Sequence, residues 1–411
     1  MPPAQKSPSL FDSSKEHYLI WLLCAVAAAH VVFFSAGYPL FIVDEIDHFD
    51  LAVKYSHFRL PGKPDYYADE SMPYIVVFDT WEYTDTRDTL SAAPWKLPQS
   101  EITPLLLSRE HRWREINRET SQPPLYYVLT GIWWRLFNAA GFHDMALPYL
   151  LRFFNAFIIV ALVWLGWFAA RLIFPGEMFI HISVPALIAF LPQTAFYSIG
   201  NDALSPLSFG AAFVCVIRWM RAETPCPPLG AATGLALAAT FLTKMCNVPL
   251  LAVAFLAVFL KVCLAGRPNL PRILPSFVTL LGCALLPMAA WSAWCKAHFG
   301  DFTGSTEVVQ PLGWTIKPFW QWWHHPIFTP PGLWTFVSGN LATLWQDEKL
   351  WHGQPLSLRP VDLFYTLISI AFITIAVFRL KSADSPRRRA LVFALATLVA
   401  SFMFFGLLSI M

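Results

Sequence analysis

Charged side chains are scarce in this sequence. Only 14% of its 411 residues are Asp, Glu, Lys or Arg, while 56% are hydrophobic. Soluble domains have about a quarter charged residues and roughly 45–50% apolar ones. The shortage of charge therefore excludes a soluble globular protein. The formal net charge of +2 gives no basis for nucleic-acid binding either, because the charged residues are distributed among the polar connections.

Paired cysteines and the usual metal-binding motifs are also lacking. The seven cysteines lie in or beside apolar runs, and none forms a Cys-x-x-Cys pair. Their spacing predicts neither a disulfide framework nor a redox motif. The His324-His325 pair lacks the His-Glu-x-x-His spacing of zinc enzymes. The sequence neither assigns a divalent metal as a cofactor nor excludes one.

Long apolar runs are what the sequence does have. Several segments approach the ~20 residues that a membrane-spanning helix needs. They are residues 18–43, 150–174, 179–199, 203–220, 229–244, 249–264, 273–295, 361–378 and 390–410. The first is longer than the apolar core of a cleaved signal peptide, so we expect an uncleaved anchor. The predicted fold class is an all-α polytopic membrane protein with nine transmembrane helices.

The distribution of Lys and Arg sets the expected topology. Residues 124–140 are apolar and aromatic but short, and they contain Arg135. If this segment does not span, the basic connections fall on the side of Lys6 and Lys15, as the positive-inside rule requires. We therefore predict an amphipathic interfacial helix. The expected domains are a cytoplasmic tail (1–17), a first transmembrane helix (18–43), a first outer loop with interfacial helices (44–149), a six-helix block (150–295), a second outer loop (296–360) and a C-terminal helix pair (361–411).

Local patterns add expectations outside the spans. The polar residues 1–17 are typical of a disordered tail. Residues 74–78 predict a short strand or an apolar plug, and the alternating charges of 110–119 predict a solvated helix. The tryptophans between 314 and 351 suit stacking on sugar rings and equally suit contact with lipid headgroups.

An acidic stretch directly follows the first apolar run. It contains Asp44, Glu45, Asp47 and Asp50 together with His48. In a helix, Asp44 and His48 are i,i+4 neighbours on one face. Clustered carboxylates raise one another's pKa, which is unfavourable unless a metal, a cation or a substrate hydroxyl uses them. The alternative is an acidic helix start that suits the positive end of the helix dipole. We favour the functional interpretation because the acids lie where hydrocarbon meets water.

Further polar residues lie at the predicted outer ends of the spans, and each also has a structural explanation. Asn201-Asp202 suits binding or a helix cap. Lys244 and Arg152 suit a phosphate group or simple snorkelling to the interface. Two consecutive prolines precede Leu125, which predicts a rigid elbow at the start of a helix.

Taken in order, these motifs resemble a known superfamily over roughly residues 19–310. The matching residues are Asp44-Glu45, Gln122-Pro123-Pro124-Leu125-Tyr126-Tyr127, Arg152, Asn201-Asp202, Leu242-Thr243-Lys244 and His298-Phe299-Gly300-Asp301. The chain resembles the GT-C integral-membrane glycosyltransferases, such as the protein O-mannosyltransferases and the aminoarabinose transferase of lipid A. More narrowly, it resembles a bacterial branch of that superfamily. Gln122 stands where the family often has histidine.

The resemblance implies transfer of a sugar from a polyprenyl-phosphate donor to a hydroxyl of a glycan, lipid or protein. It places the active site on the outer face of a bacterial plasma membrane, in the cell envelope. Asp44 then acts as the base with Glu45 assisting, in one inverting displacement. Lys244 and Arg152 are expected to bind the donor phosphate. The remaining substrate-binding candidates are His48, Glu119, Gln122, Tyr126, Asn201, Asp202 and Asp301.

Two other functions fit the same composition. The first is a transporter or flippase of lipid-linked sugars. Transporters place polar groups near the bilayer midplane, whereas the mid-span regions here lack Asp and Glu and show no repeat. The second is a non-catalytic assembly subunit with the same fold. Cleavage of the donor distinguishes the enzyme from both.

Overall fold

Helices account for most of the architecture. The computed structural model describes residues 10–37, 44–63, 65–78, 98–108, 115–142, 145–191, 194–266, 268–306, 317–343, 345, 350–351, 354–355 and 358–410. Its first eight helices are α1 Leu10–Gly37, α2 Glu45–Ser56, α3 Met72–Phe78, α4 Gln99–Ser108, α5 Leu125–Ala139, α6 Leu147–Arg152, α7 Phe154–Ile173 and α8 Met178–Ala189.

The second half continues in the same way. Its helices are α9 Ser205–Arg221, α10 Pro227–Thr243, α11 Val248–Leu264, α12 Leu270–Phe299, α13 Pro330–Thr343, α14 Arg359–Arg379 and α15 Ser385–Ile410. A short antiparallel pair joins β1 Leu350–Trp351 to β2 Gln354–Pro355. Proline occupies the first or second position of α6, α9, α10, α11, α12 and α14. It suits these positions because its missing N–H is not needed there.

Six helical segments of the described chain are long and apolar enough to span a membrane. They are Lys15–Gly37, Leu147–Ile173, Met245–Leu264, Leu270–Phe299, Arg359–Arg379 and Ser385–Ile410, judged by length and hydropathy. The other three predicted spans contain the shorter helices α8, α9 and α10, of 12, 17 and 17 residues. The helical membrane fold is confirmed, with six segments of full spanning length within the residues described.

The first helix starts earlier than expected. We expected a disordered tail up to residue 17, but α1 begins at Leu10. Glu16 is buried in it, accepts a 2.6 Å hydrogen bond from Trp167 Nε1, and lies 3.3 Å from His181 Nδ1. These contacts hold the N-terminal part of α1 at Glu16 against α7 and α8. Residues 1–9 lie outside the described chain.

The structure differs from two local predictions in the first outer loop. Residues 74–78 belong to helix α3 and not to a strand. Their apolar side chains are buried, with Tyr74 5.7 Å from the ring of Trp134 in α5, which agrees with the alternative of an apolar plug. The described part of 110–119 is not helical, since Ile116 forms an isolated antiparallel bridge with Tyr66. Residues 110–114 lie outside the described chain. In both places tertiary contacts override the local pattern.

Close helix contacts fix the elements around the outer loop. Gly131 of α5 faces the backbone of α2, and a Cβ there would lie 2.7 Å from the amide nitrogen of Ser56. Gly234 of α10 lies still closer to α12, where a Cβ would come within 2.3 Å of Leu280 O. Small residues of this kind allow helix backbones to approach closely. Helix α5 is therefore packed closely on α2, and α10 on α12.

Candidate functional site

A half-exposed carboxylate lies at the start of α2. Asp44 immediately precedes the helix, and its side chain is 49% exposed. One turn later His48 is 5% exposed, with Nε2 3.5 Å from Asp44 Oδ2. The other ring nitrogen of His48 lies 2.7 Å from the hydroxyl of Tyr127. The i,i+4 relation predicted from spacing is present, and it continues inward to a buried tyrosine.

The charges of three acids act on the His48 ring. Burial lowers the pKa of His48, but the hydrogen bond and charge of Asp44 and the charges of Glu119 and Asp202 outweigh it. The net result is a pKa above the ordinary value of histidine. An opposite charge nearby favours the protonated ring. Acids from three separate chain segments therefore converge on this one histidine.

Glu45 forms a buried, bidentate ion pair with Arg152. Arg152 Nε and Nη2 donate to the two carboxylate oxygens at 2.7 and 2.5 Å, and both side chains are at most 1% exposed. Arg152 Nη1 also donates to Ser35 O at 3.1 Å, and the Ile199 amide donates to Glu45 Oε1 at 2.8 Å. The pair thus joins the last turn of α1, the start of α2, the end of α6 and the loop before α9.

The remaining acids of the stretch hold the outer loop against α2. Asp47 Oδ1 accepts a 2.8 Å hydrogen bond from Tyr67. Asp50 Oδ2 lies 2.6 Å from Lys54 Nζ and accepts a 2.8 Å hydrogen bond from Asn117. Both acids are buried. Burial raises the pKa of Asp47 to about 6, against the lowering effect of the Tyr67 hydrogen bond.

A hydrogen-bonded chain of polar residues continues away from α2. Gln122 Nε2 donates to Glu119 Oε2 at 2.5 Å. Asn201 Nδ2 donates to Gln122 Oε1 at 2.9 Å and to Thr243 O at 3.1 Å. Asn201 is fully buried. Three of the predicted substrate-binding residues are therefore linked directly, and they connect the Pro-Pro elbow to the loop before α9 and to the end of α10.

Lys244 supplies positive charge to the same region. It follows α10, its side chain is 25% exposed, and it forms an ion pair with the half-exposed Asp202. Burial lowers the pKa of Lys244, but Asp202 and, less strongly, Asp44 raise it above the ordinary lysine value. Lys244 thus stays protonated at neutral pH, within electrostatic reach of Asp44.

Tyr126 belongs to the buried framework. It is fully buried, its hydroxyl donates to Asn155 Oδ1 at 3.3 Å, and that hydroxyl accepts from the Gly200 amide at 3.2 Å. Burial raises the pKa of Tyr126 well above its ordinary value. The residue therefore positions the loop that carries Asn201.

Asp301 bonds within its own loop. Its carboxylate accepts from Thr303 N and Oγ1 at 2.8 and 2.6 Å and from Thr306 N at 3.1 Å. Burial raises the pKa of Asp301, but these hydrogen bonds lower it more, so that the net pKa is below the ordinary range. The loop nevertheless reaches the site, because Gly304 packs against Ser121, one residue before Gln122.

One comparison with known proteins identifies the family. A family model described as "Predicted membrane protein (DUF2142)" matches residues 26–325, well over half of the chain. The chain belongs to this family. The DUF2142 match runs from α1 past the loop of Asp301, so it contains every residue of the site described above. No curated protein matches the sequence, and no solved structure does.

Part of the site in this DUF2142 protein was not predicted. The Asp50–Lys54 pair has i,i+4 spacing, which is a usable signal for a helical ion pair. Lys54 Nζ also lies 3.0 Å from Asp65, a contact that joins α2 to the loop after it and has no local signal. The role of Tyr127 beside His48 was missed for the same reason, since the two residues are 79 positions apart.

The geometry bears on metal binding as well. Within the described ranges no group of three or more His, Cys, Asp and Glu side chains is arranged to hold a metal ion. Glu45, Asp47 and Asp50 are each engaged by a hydrogen-bond donor or a cation. What the cluster offers chemically is an accessible carboxylate, a histidine beside it, and a lysine whose charge interacts with that carboxylate.

Proposed function

We propose that this DUF2142 protein is an integral-membrane glycosyltransferase that transfers a sugar from a polyprenyl-phosphate donor to an acceptor hydroxyl. One observation carries the proposal. Of the four acids between residues 44 and 50, Asp44 alone has an accessible carboxylate, whereas Glu45, Asp47 and Asp50 are buried. A general base must reach the proton that it removes. Asp44 therefore fits that role, and its buried neighbours fit roles in positioning it.

The position of the site relative to the membrane supports this substrate class. The apolar helix α1 ends at Gly37, and Asp44 follows within seven residues. The chain returns to the membrane at α6, whose Arg152 bonds to Ser35 O of α1. Residues 44–146 therefore follow the C-terminal end of α1 and lead back, through α6, to the N-terminal end of α7. The Arg152–Ser35 contact brings these two helix ends together. A lipid-linked sugar would keep its isoprenoid tail in the bilayer and present its anomeric carbon at this level.

The proposed reaction is a single displacement. The Asp44 carboxylate takes the proton of the acceptor hydroxyl as the acceptor oxygen bonds to the anomeric carbon. The bond between that carbon and the donor phosphate oxygen breaks, and its electron pair leaves on the polyprenyl phosphate. Attack from the face opposite the leaving group inverts the anomeric configuration. His48 holds Asp44 in place through the contact of its Nε2 with the carboxylate.

Lys244 is the residue we assign to the leaving phosphate. Its ammonium group is partly exposed and lies in the field of Asp44 and Asp202. Positive charge placed where negative charge develops stabilises the transition state. Arg152 is less suited, because a phosphate would have to displace Glu45 from a fully buried, bidentate pair. We therefore assign Arg152 and Glu45 to positioning, together with Tyr126 and Asn201.

The topology we propose has the site on the non-cytoplasmic face of the plasma membrane. Arg218 and Arg221 lie in the last turn of α9 and Lys261 in the last turn of α11, at the helix ends opposite the site. The positive-inside rule puts such residues on the cytoplasmic side. In this topology α5 lies along the outer surface, where its Gly131 packs on α2.

Donor cleavage tests the proposal. The full-length protein in lipid vesicles is given synthetic polyprenyl-phosphate hexoses and pentoses with a mixture of hydroxyl acceptors, and released polyprenyl phosphate is measured. Release that depends on an acceptor supports the transferase. Movement of an intact donor across the bilayer without release would contradict it and support a flippase. Neither release nor movement across the whole donor set would favour the assembly subunit.

A further inference from the structure

A large cavity lies at the end of the helices remote from Asp44. It has a volume of about 1070 Å³ and opens between α11, α12 and α15, beside the end of α9. Helices α9 and α11 both begin next to the candidate site, after Asp202 and Lys244, and both end at the cavity. A 17-residue helix is about 25 Å long, so the cavity and the site are separated by the thickness of the helical block.

The cavity has two chemically distinct parts. Its walls are apolar and include Leu256 and Ala257 of α11 and Phe393 of α15. Its polar rim carries five basic side chains and one acid, namely Arg221, Lys261, Arg272, Arg388, Arg389 and Glu223. Five positive charges against one negative charge give the rim a formal charge of +4. An apolar chain with an anionic end matches this division.

Arg272 and Arg389 combine exposure with few side-chain hydrogen bonds, so their donors can bind an anion. Lys261 Nζ is occupied by backbone carbonyls at the end of α9, including Trp219 O at 2.8 Å. Arg388 donates to Leu380 O at 3.2 Å. By contrast, Arg272 is exposed and its side chain has no ion pair or hydrogen bond within the described residues, and Arg389 makes one 3.3 Å side-chain hydrogen bond, to Ser385. Arg272 lies in the first turn of α12, where the helix dipole adds positive potential, and Arg389 follows the first turn of α15.

We propose that this cavity binds an anionic phospholipid, with the phosphate headgroup at Arg272 and Arg389 and an acyl chain along α11 and α15. A guanidinium group can donate two parallel hydrogen bonds to two oxygens of one phosphate. Basic pockets between transmembrane helices are suited to anionic headgroups. Free phosphate would use the rim alone and leave the apolar walls without a ligand. A zwitterionic headgroup carries a cationic group of its own, which the positive rim would repel. This site does not depend on the reaction proposed for Asp44.

Lipid retention by the full-length protein tests the proposal. Native mass spectrometry in mild detergent is carried out with phosphatidylglycerol, cardiolipin and phosphatidylcholine. We expect the two anionic lipids to be retained at least tenfold better than phosphatidylcholine. The double variant Arg272→Ala/Arg389→Ala should weaken anionic binding by about 25-fold, at roughly fivefold for each basic residue. The matched control Arg379→Ala/Lys381→Ala removes two exposed charges outside the cavity and should change nothing.

A second variant separates a lipid from a free phosphate ion. Ala257→Trp fills the apolar part and leaves the rim intact. A lipid site predicts that it lowers phosphatidylglycerol retention at least fivefold and that excess inorganic phosphate competes poorly. Equal retention of anionic and zwitterionic lipids by the unmodified protein would overturn the proposal. So would full competition by inorganic phosphate together with unchanged retention in Ala257→Trp. These two comparisons decide the matter even if the double variant does not fold.

Discussion

The Arg152 guanidinium donates a hydrogen bond to each oxygen of the Glu45 carboxylate, and both side chains are buried. The two residues are 107 positions apart. Their pairing places the end of the first membrane helix beside the start of the next, so it closes the outer loop at its base. The acid that follows Asp44 is therefore a structural residue that fixes where Asp44 lies.

Breaking this pair should destabilise the fold. Removing one partner leaves a buried charge without compensation, which costs about 3–5 kcal/mol. We expect Glu45→Gln and Arg152→Met each to lower the melting temperature of the detergent-purified protein strongly. The double variant Glu45→Leu/Arg152→Met should be more stable than either single variant, because no charge remains buried. A double variant as unstable as the sum of the two single variants would contradict this explanation.

The pH dependence of stability should contain a component from Asp47. Its pKa is raised by burial from 3.8 to about 6. Between these values the folded state binds more protons than the unfolded state, so stability falls as pH rises from about 4 to about 6. The difference corresponds to about 3 kcal/mol. Asp47→Asn keeps an acceptor for Tyr67 and has no charge to bury.

The measurement for Asp47 is the melting-temperature difference between Asp47→Asn and the unmodified protein at pH 4 and pH 7. We expect the variant to be relatively more stable at pH 7 than at pH 4. Asp69→Asn, which alters an exposed acid of the same loop, is the control and should show no such trend. An identical difference at both pH values for Asp47→Asn would show that Asp47 titrates as it does in the unfolded chain.

Local spacing predicted some of the site, and long-range contacts supplied the rest. The Asp44–His48 contact follows from i,i+4 geometry in any helix that starts at residue 45. The order of the motifs also placed Asn201, Asp202 and Lys244 at one end of the helices. Sequence alone did not reveal which of these residues pair, because a contact such as Lys244–Asp202 joins positions 42 apart. Burial, which separates Asp44 from its acidic neighbours, depends on contacts with distant residues such as Tyr67, Asn117 and Arg152.

The charge of Asp44 should raise the pKa of His48 by a measurable amount. Asp44 is the main group that raises the pKa of His48 against burial. Replacing it with asparagine removes that charge, so the pKa of the ring should fall. Titration of the histidine signals by NMR, with His48 assigned by substitution, gives the value. Asp69→Asn should leave it unchanged. A His48 pKa that is the same in Asp44→Asn and the unmodified protein would rule out the contact.

Gly131 should tolerate no side chain. A Cβ at this position would lie 2.7 Å from Ser56 N and 3.0 Å from Ala52 O, both backbone atoms of α2 that have no rotamer to change. We expect Gly131→Ala to cost about 1–3 kcal/mol, as overpacking does in a close-packed interior. Gly282→Ala, in α12 with no atom within 4 Å of the new Cβ, is the matched control. Equal melting temperatures for the two variants would contradict the close α2–α5 contact.

The most direct test compares release of polyprenyl phosphate by the unmodified protein and by Asp44→Asn, once a cleaved donor is found. If Asp44 is the general base, the variant should keep its melting temperature, and its rate of release should be about 10²–10⁴-fold lower. Asp69→Asn should release polyprenyl phosphate at the unmodified rate. A folded Asp44→Asn protein that transfers sugar as fast as the unmodified protein would contradict the account.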